Sequence, residues 1–200
     1  MAEFSLFDSQ GNRLYLNGDE RKSFLKAADS QKREVKALCQ VLHYTGCRVT
    51  EALELTPKRI DHSEQTLRFR SLKKRDKIVY RDVPVPPLLL VTLDDVFGIK
   101  DILLKRRSRK KNEPLWSWTR THAWRLVKQV MDKAEIPDGA HKTTKGLRHG
   151  YGVAAVRAGI QLNMLQKWMG HADMKTTAIY ANALGEEERA IARRMWESER

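Results

Sequence analysis

The sequence predicts an α+β fold, a mainly helical domain that carries one small antiparallel β-sheet. Two patterns and one bound predict it. Apolar residues recur at helical spacing along most of the chain, as in Val35, Leu38, Val41 and Leu42, or in Ala123, Val127, Val130, Met131 and Ala134. One central stretch changes to period two: Leu67 and Phe69 alternate with Arg68 and Arg70, and a second run follows over residues 77–85. The bound is size. Two hundred residues, 41% of them hydrophobic, suffice for one well-buried core. No internal repeat or low-complexity linker divides them.

The elements follow in order. Residues 1–16 form an N-terminal extension in which Phe4 and Leu6 precede the turn residues 8–11, and Leu14 and Leu16 follow, as in a small hairpin. Residues 17–28 read as a first helix, capped by Asn17 or Asp19. Residues 32–44 form a buried helix that Gly46 interrupts, and Arg48 opens a short helix through Glu51, Leu53 and Leu55. A hairpin pairs residues 66–72 with 77–85 around the charged turn 73–77, with Ile78 and Tyr80 as the apolar row of its second strand, against Val79 and Arg81. Pro86 and Pro87 end the sheet and start a helix through Asp95.

Trp116 and Trp118 precede a helix capped by Thr119 or Thr121; its apolar stripe faces the core and Arg120, Arg125 and Lys128 lie mostly off it. A helix of that kind fits a DNA major groove, and equally serves as an ordinary surface helix. From Lys145 the chain is helical again, with Leu147, Val153, Ala154 and Val156 as core candidates. Leu162, Leu165, Trp168 and Met169 make a short amphipathic helix that Gly170 stops. Residues 176–183 carry Tyr180. Residues 186–199 form a last, charged helix with a narrow stripe of Ile191, Met195 and Trp196.

The formal net charge is +13, which favours a polyanionic partner, DNA or RNA first and an anionic membrane second. The run KRRSRKK at residues 105–111 has six basic residues in seven, and by itself means a solvated loop. The most apolar stretch, residues 83–93, is short and broken by Pro84, Pro86 and Pro87, so no membrane span is expected. The N-terminus has no basic region followed by an apolar run, hence no export signal. Cys39 and Cys47 lack zinc or disulfide spacing and read as reduced, buried thiols. The expected compartment is the cytoplasm, with no metal and no cofactor.

Ten residues near the C-terminus, HADMKTTAIY from His171 to Tyr180, narrow the chemistry. They follow KGLRH, from Lys145 to His149, and a hundred residues earlier stands TGCRVTE, from Thr45 to Glu51 with Arg48 at its centre. Cleaving a phosphodiester with a protein hydroxyl needs four things: a nucleophile, neutralisation of the five-coordinate phosphate, an acid for the leaving 5′ oxygen and sites that hold the backbone. Tyr180 is the candidate nucleophile, because a phosphotyrosine ester keeps the energy of the broken bond and allows rejoining without ATP.

Arg48 and Arg148 are candidates for the two non-bridging oxygens, since a pair of guanidinium groups can replace a metal as the clamp. His171 can bond a phosphate oxygen or take the tyrosine proton. Lys73 and Lys74 both qualify as the acid, and Lys73 is preferred because it follows Phe69 by four residues. Lys145 lies three residues before Arg148 and adds a second positive contact. Each residue also has a structural reading: Arg48 pairing with Glu51, Arg148 on the surface, Tyr180 packing on the Trp168 helix. His149 reads as a structural hydrogen-bonding histidine. The ordered set carries the chemistry, not any one member.

With these boxes the chain resembles the catalytic domain of the tyrosine recombinases, the phage integrase family. TGCRVTEALEL resembles the first arginine box, LKKR with the following Arg81-Asp-Val-Pro84 the β-hairpin lysine region, KGLRHGYG the second arginine box, WMGH the histidine box and TTAIYA the tyrosine box. The resemblance implies a catalytic domain over residues 17–183, with Arg48, Lys73, Lys145, Arg148, His171 and Tyr180 in the active site and Glu51 supporting the first arginine. Lys74, Arg120, Arg125 and Lys128 are expected on DNA.

It implies a site-specific recombinase of bacterial, nucleoid-associated setting that makes a 3′-phosphotyrosyl link. The partners it implies are double-stranded DNA, a tetramer of the chain on that DNA and an accessory DNA-binding protein, with residues 184–200 docking on a neighbouring subunit or on their own domain. Two departures stand out. Lys145 occupies a position where the family usually has histidine, which moves the role of base towards His171 or water. About twenty residues precede the first helix, where most relatives carry a separate clamp domain. A DNA-binding regulatory or plasmid-maintenance protein on the same fold is the first rival, and a type IB topoisomerase the second.

Overall fold

The computed structural model describes residues 5–71, 79–182, 192–193 and 196–197. Helix α1 (Gly18–Asp29) starts on Asn17, whose side chain accepts from the Glu20 amide at 2.9 Å while the Glu20 carboxylate accepts from the Asn17 amide at 2.9 Å. That reciprocal pair satisfies two amides that a helix start leaves open. Helix α2 (Arg33–Thr45) ends at Gly46, which is left-handed at φ 59°. A Cβ on Gly46 would also run into the Tyr151 ring, so glycine is required there for conformation and for space. Helix α3 (Val49–Leu53) begins immediately after Arg48.

The sheet has three strands in the order β1 (Ile60–Asp61), β2 (Thr66–Ser71) and β3 (Val79–Pro84), all antiparallel. Two residues are too few for a period-two signal, so β1 was not legible. The expected row of Ile78 and Tyr80 is overturned: Tyr80 is 47% exposed, under the Arg59 guanidinium, whereas Arg81 and Val83 are buried. Ile78 lies outside the described residues. The register gives the reason. Leu67 pairs with Val83 and Phe69 with Arg81, and directly opposed residues share a face, so the buried row of β2 dictates that of β3.

Helix α4 (Pro87–Phe97) ends at Gly98, and the short α5 (Ile99–Leu104) follows. The KRRSRKK run lies beyond it, mostly exposed. Thr119 caps α6 (Arg120–Lys133) by accepting from the His122 amide, and Thr143 caps α7 (Thr144–Arg157) by accepting from Gly146. In α7 Leu147 and Val153 are buried as expected, but Ala154 and Val156 are half-buried and Ala155 takes the inner position. Helix α8 (Leu162–Met169) stops at left-handed Gly170, and α9 (Lys175–Ala178) passes into a 3-10 turn, Ile179–Asn182. The C-terminal helix expected over residues 186–199 lies largely outside the described residues, including Ile191 and Met195; Trp196 is exposed.

Two apolar clusters result. The larger joins α1 to α4, the sheet and α6. The smaller joins Leu6 and Tyr15 of the N-terminal segment with Val153, Leu165, Met169 and Tyr180. That segment folds back through a Phe7–Arg13 bridge, and the Leu16 amide donates to the Gly146 carbonyl at 3.0 Å. No described helix is long and apolar enough to cross a membrane.

Candidate active site

One half of the site is a mesh of arginines around a carboxylate. Glu51 stands on the first turn of α3 with its side chain fully buried. It accepts from the Arg48 amide at 2.8 Å and from Arg48 Nη1 at 3.0 Å. From the sheet side Arg81 donates to it through Nη2 at 2.7 Å and Nη1 at 3.3 Å. Burial works to raise the Glu51 pKa, but the two charges of Arg81 and Arg148 and the bonds from Arg81 and Arg48 outweigh it, and the carboxyl sits below its ordinary range. It is therefore an anion at neutral pH, as a buried carboxylate between guanidinium groups must be.

Arg148 extends the mesh. It is 7% exposed, and its Nη1 and Nη2 donate to the carbonyls of Gly46 at 2.6 Å and Met169 at 2.7 Å. Two carbonyls from different helix ends fix the guanidinium plane and leave further donors for an anion. Burial, then the neighbouring Arg48 charge, brings its pKa down to about 10, so it stays cationic. Arg81 Nε donates to the Trp168 carbonyl at 2.8 Å and so ties the sheet to α8.

The other half holds Tyr180. Its ring is buried against the smaller cluster, in a slot where α7 carries Gly152; a Cβ there would collide with the ring. The hydroxyl lies 3.0 Å from His149 Nδ1. His171 stacks on the Tyr180 ring at 6.2 Å between centroids and 12° between planes, with its Nδ1 2.9 Å from Thr177 Oγ1. Burial pushes the phenol up to about 12 against the pull of Arg148 and Arg48, so it is protonated at rest. Burial, then Lys145 and Arg148, pushes His149 down to about 4, so its ring is neutral.

Both halves open on one cleft of about 470 Å³. Arg48, Lys145, Arg148, His171 and Tyr180 all line it, and so do His149, Arg120 and Trp124. Lys145 is exposed and, among the described residues, has no ion-pair partner. Lys73 and Lys74 lie outside the described residues. Arg125 is exposed on the same helix as Arg120 and Trp124 and does not itself line the cleft. Lys128 donates its ammonium to the Lys142 carbonyl at 2.9 Å, bracing α6 against the loop before α7. Among the described residues no group of three or more His, Cys, Asp or Glu is placed to hold a metal ion.

The order of these boxes has a counterpart in known proteins. The sequence model of the phage integrase family matches residues 15–187. The chain belongs to the phage integrase family. It is 32% identical over 155 residues to tyrosine recombinase XerD of Neisseria meningitidis serogroup B, covering 74% of this chain and 50% of that protein. It is 27% identical over 164 residues to tyrosine recombinase XerC of Roseiflexus castenholzii, covering 79% and 50%. The chain spans about half the length of the curated relatives it matches. Among solved structures it superposes on XerA recombinase with a TM-score of 0.69 at 28% identity, over 93% of this chain and 65% of that one. The catalytic domain of bacteriophage HP1 integrase shares the fold, with a TM-score of 0.61 at 19% identity over 89% of this chain and 93% of that one.

Within this phage integrase fold three residues escaped the sequence reading. Arg81 continues the buried row of β3, and an arginine opposite Phe69 was the available signal. Trp124 follows Arg120 by one helical turn and is 43% exposed on the cleft, a pairing that i, i+4 spacing predicts. His149 read as a structural histidine; its contact with Tyr180 spans 31 residues and has no local signature.

Proposed function

We propose that this member of the phage integrase family is the catalytic part of a site-specific DNA recombinase, which cleaves and rejoins strands through a 3′-phosphotyrosyl link on Tyr180. One observation carries the reading: Arg48, Lys145, Arg148, His171 and Tyr180, drawn from 133 positions of sequence, line a single cleft. Arg148 and Arg48 hold the non-bridging oxygens of the scissile phosphate. Preorganised cations in a partly dry cleft stabilise the added charge of the five-coordinate state far more than flexible ones in water. Lys145 contributes a further cation to the same phosphate. Lys73, with Lys74 as the alternative, protonates the leaving 5′ oxygen. Arg120 and Trp124 meet the DNA at the cleft rim, joined by Arg125 on the same helix.

The partner is double-stranded DNA. Recombinase relatives have been solved on their DNA, among them XerH bound to its difH substrate, and the net charge of +13 fits such a partner. Residues 17–183 form the catalytic unit, which assembles as a tetramer on that DNA. The place of action is then the bacterial cytoplasm, at the nucleoid, with an accessory DNA-binding protein where the target requires one.

The test uses a pool of nicked duplexes with a randomised core, incubated with the protein and resolved on denaturing gels. Wild type should give a covalent protein–DNA adduct and Tyr180→Phe none. An undiminished adduct with Tyr180→Phe, or none with wild type, would overturn the reading.

A further inference from the structure

We propose that His149 accepts the phenol proton of Tyr180 during strand cleavage, which makes it a catalytic residue of the cleft; the inference rests on Tyr180 being the nucleophile. His149 Nδ1 lies 3.0 Å from the Tyr180 hydroxyl, inside the reach a general base needs. A structural histidine normally spends its ring nitrogens on backbone groups. Here Nε2 is buried and finds no partner among the described residues, so the contact that orients the ring is the one to the nucleophile. His171, the expected base, has its Nδ1 on Thr177 and lies parallel to the Tyr180 ring, an arrangement that steadies the ring.

The chemistry balances. As Tyr180 Oη bonds to phosphorus, its proton passes to His149 Nδ1. The phosphorus–5′ oxygen bond breaks with its electron pair on the oxygen, which takes a proton from Lys73, or from Lys74 in its place. Rejoining reverses each transfer: the 5′ hydroxyl returns a proton to the lysine, and the imidazolium returns one to the phenolate. At rest His149 is a weak base because burial and the charges of Lys145 and Arg148 oppose its protonation. A phosphodiester docked on those same two cations offsets their charge at His149. Proton acceptance is thereby tied to the arrival of DNA, and the phenol stays protonated until then.

Two measurements test this. Nitrogen-15 NMR of the wild-type protein without DNA should find His149 as the Nε2–H tautomer at neutral pH, with its Nδ1 resonance perturbed by Tyr180→Phe. A proton on Nδ1 would make His149 a donor to the phenol and overturn the proposal. The second is single-turnover adduct formation on a nicked duplex recovered from the randomised pool. His149→Asn places an amide near Nδ1 that can hold the hydroxyl but cannot take its proton. It should bind DNA as wild type does and form adduct roughly 100-fold more slowly. A rate within about threefold of wild type, or a faster one, would leave His149 as a holding contact only and overturn its catalytic role. A wild type that forms no adduct would instead sink the recombinase reading itself. Should His149→Asn fail to fold, the tautomer measurement decides alone.

Discussion

The two sides of the cleft are built on different principles. Arg48, Arg81 and Arg148 are held by a buried carboxylate, by three backbone carbonyls and by the larger core. Tyr180 sits on the 3-10 turn that follows a four-residue helix, in a slot against α7 and hydrogen-bonded to His149. The clamp is fixed by charges that have nowhere else to go. Tyr180 is held by apolar burial, by the fit of its ring to the α7 slot, by the stacked His171 ring and by one neutral hydrogen bond. The arginine side is thus fixed by charge pairing and the Tyr180 side by packing, so the two should answer to different substitutions.

The largest effect should come from breaking the rigid side. Glu51→Ala leaves the buried Arg81 without its counter-charge and should cost about 3–5 kcal/mol in unfolding free energy. Denaturant melts measure it; a loss within the range of a surface mutation would mean that carbonyls alone hold the clamp. Next comes the slot. Gly152→Ala puts a methyl into the Tyr180 ring and should cost about 1–3 kcal/mol through overpacking, with reduced adduct formation. Stability at the wild-type value would show that the ring moves aside freely, which would sharpen the contrast further.

Acid acts on the Tyr180 side, because His149 takes up a proton as pH falls. His149 is pushed down to about 4, below the roughly 6.5 of an exposed histidine. The unfolded chain therefore binds that proton first as pH falls. The stability linked to His149 is complete above about pH 6.5 and is lost as pH falls towards 4, at up to about 1.4 kcal/mol per pH unit. His43, pushed down to about 3 by burial and Arg21, adds a slope of the same sign. Melting at pH 7.5 and 5 should show acid destabilisation, reduced in His149→Asn but not abolished. The smallest effect should come from Arg68, whose pair with Asp82 stands on the outer face of the hairpin that carries Arg81 inside. Arg68→Ala should leave the melting temperature nearly unchanged, since exposed pairs contribute little.

Much of this was legible beforehand. The α2, α6 and α8 helices announced themselves by apolar spacing, and Asn17, Gly46 and Gly170 marked the start of α1 and the ends of α2 and α8 because caps are local chemistry. The first strand of the hairpin was right and the second was turned over. Alternation says that two faces exist, and only the register with β2 says which one is inside. Lys128 was legible as a cation off the apolar stripe of α6, but its contact with the Lys142 carbonyl was not.

By itself the sequence determined the helical α+β class, the element ends and the ordered boxes that place the chain in the phage integrase family. These depend on periodicity and short-range chemistry, which a linear chain records. Only the tertiary structure decided that Arg81 closes on Glu51 and that His149 Nδ1 meets the Tyr180 hydroxyl. Both contacts join residues about thirty positions apart. Their geometry is set by how α3 meets the sheet and how α7 meets the last turn, and side-chain distance across packed elements leaves no trace in spacing.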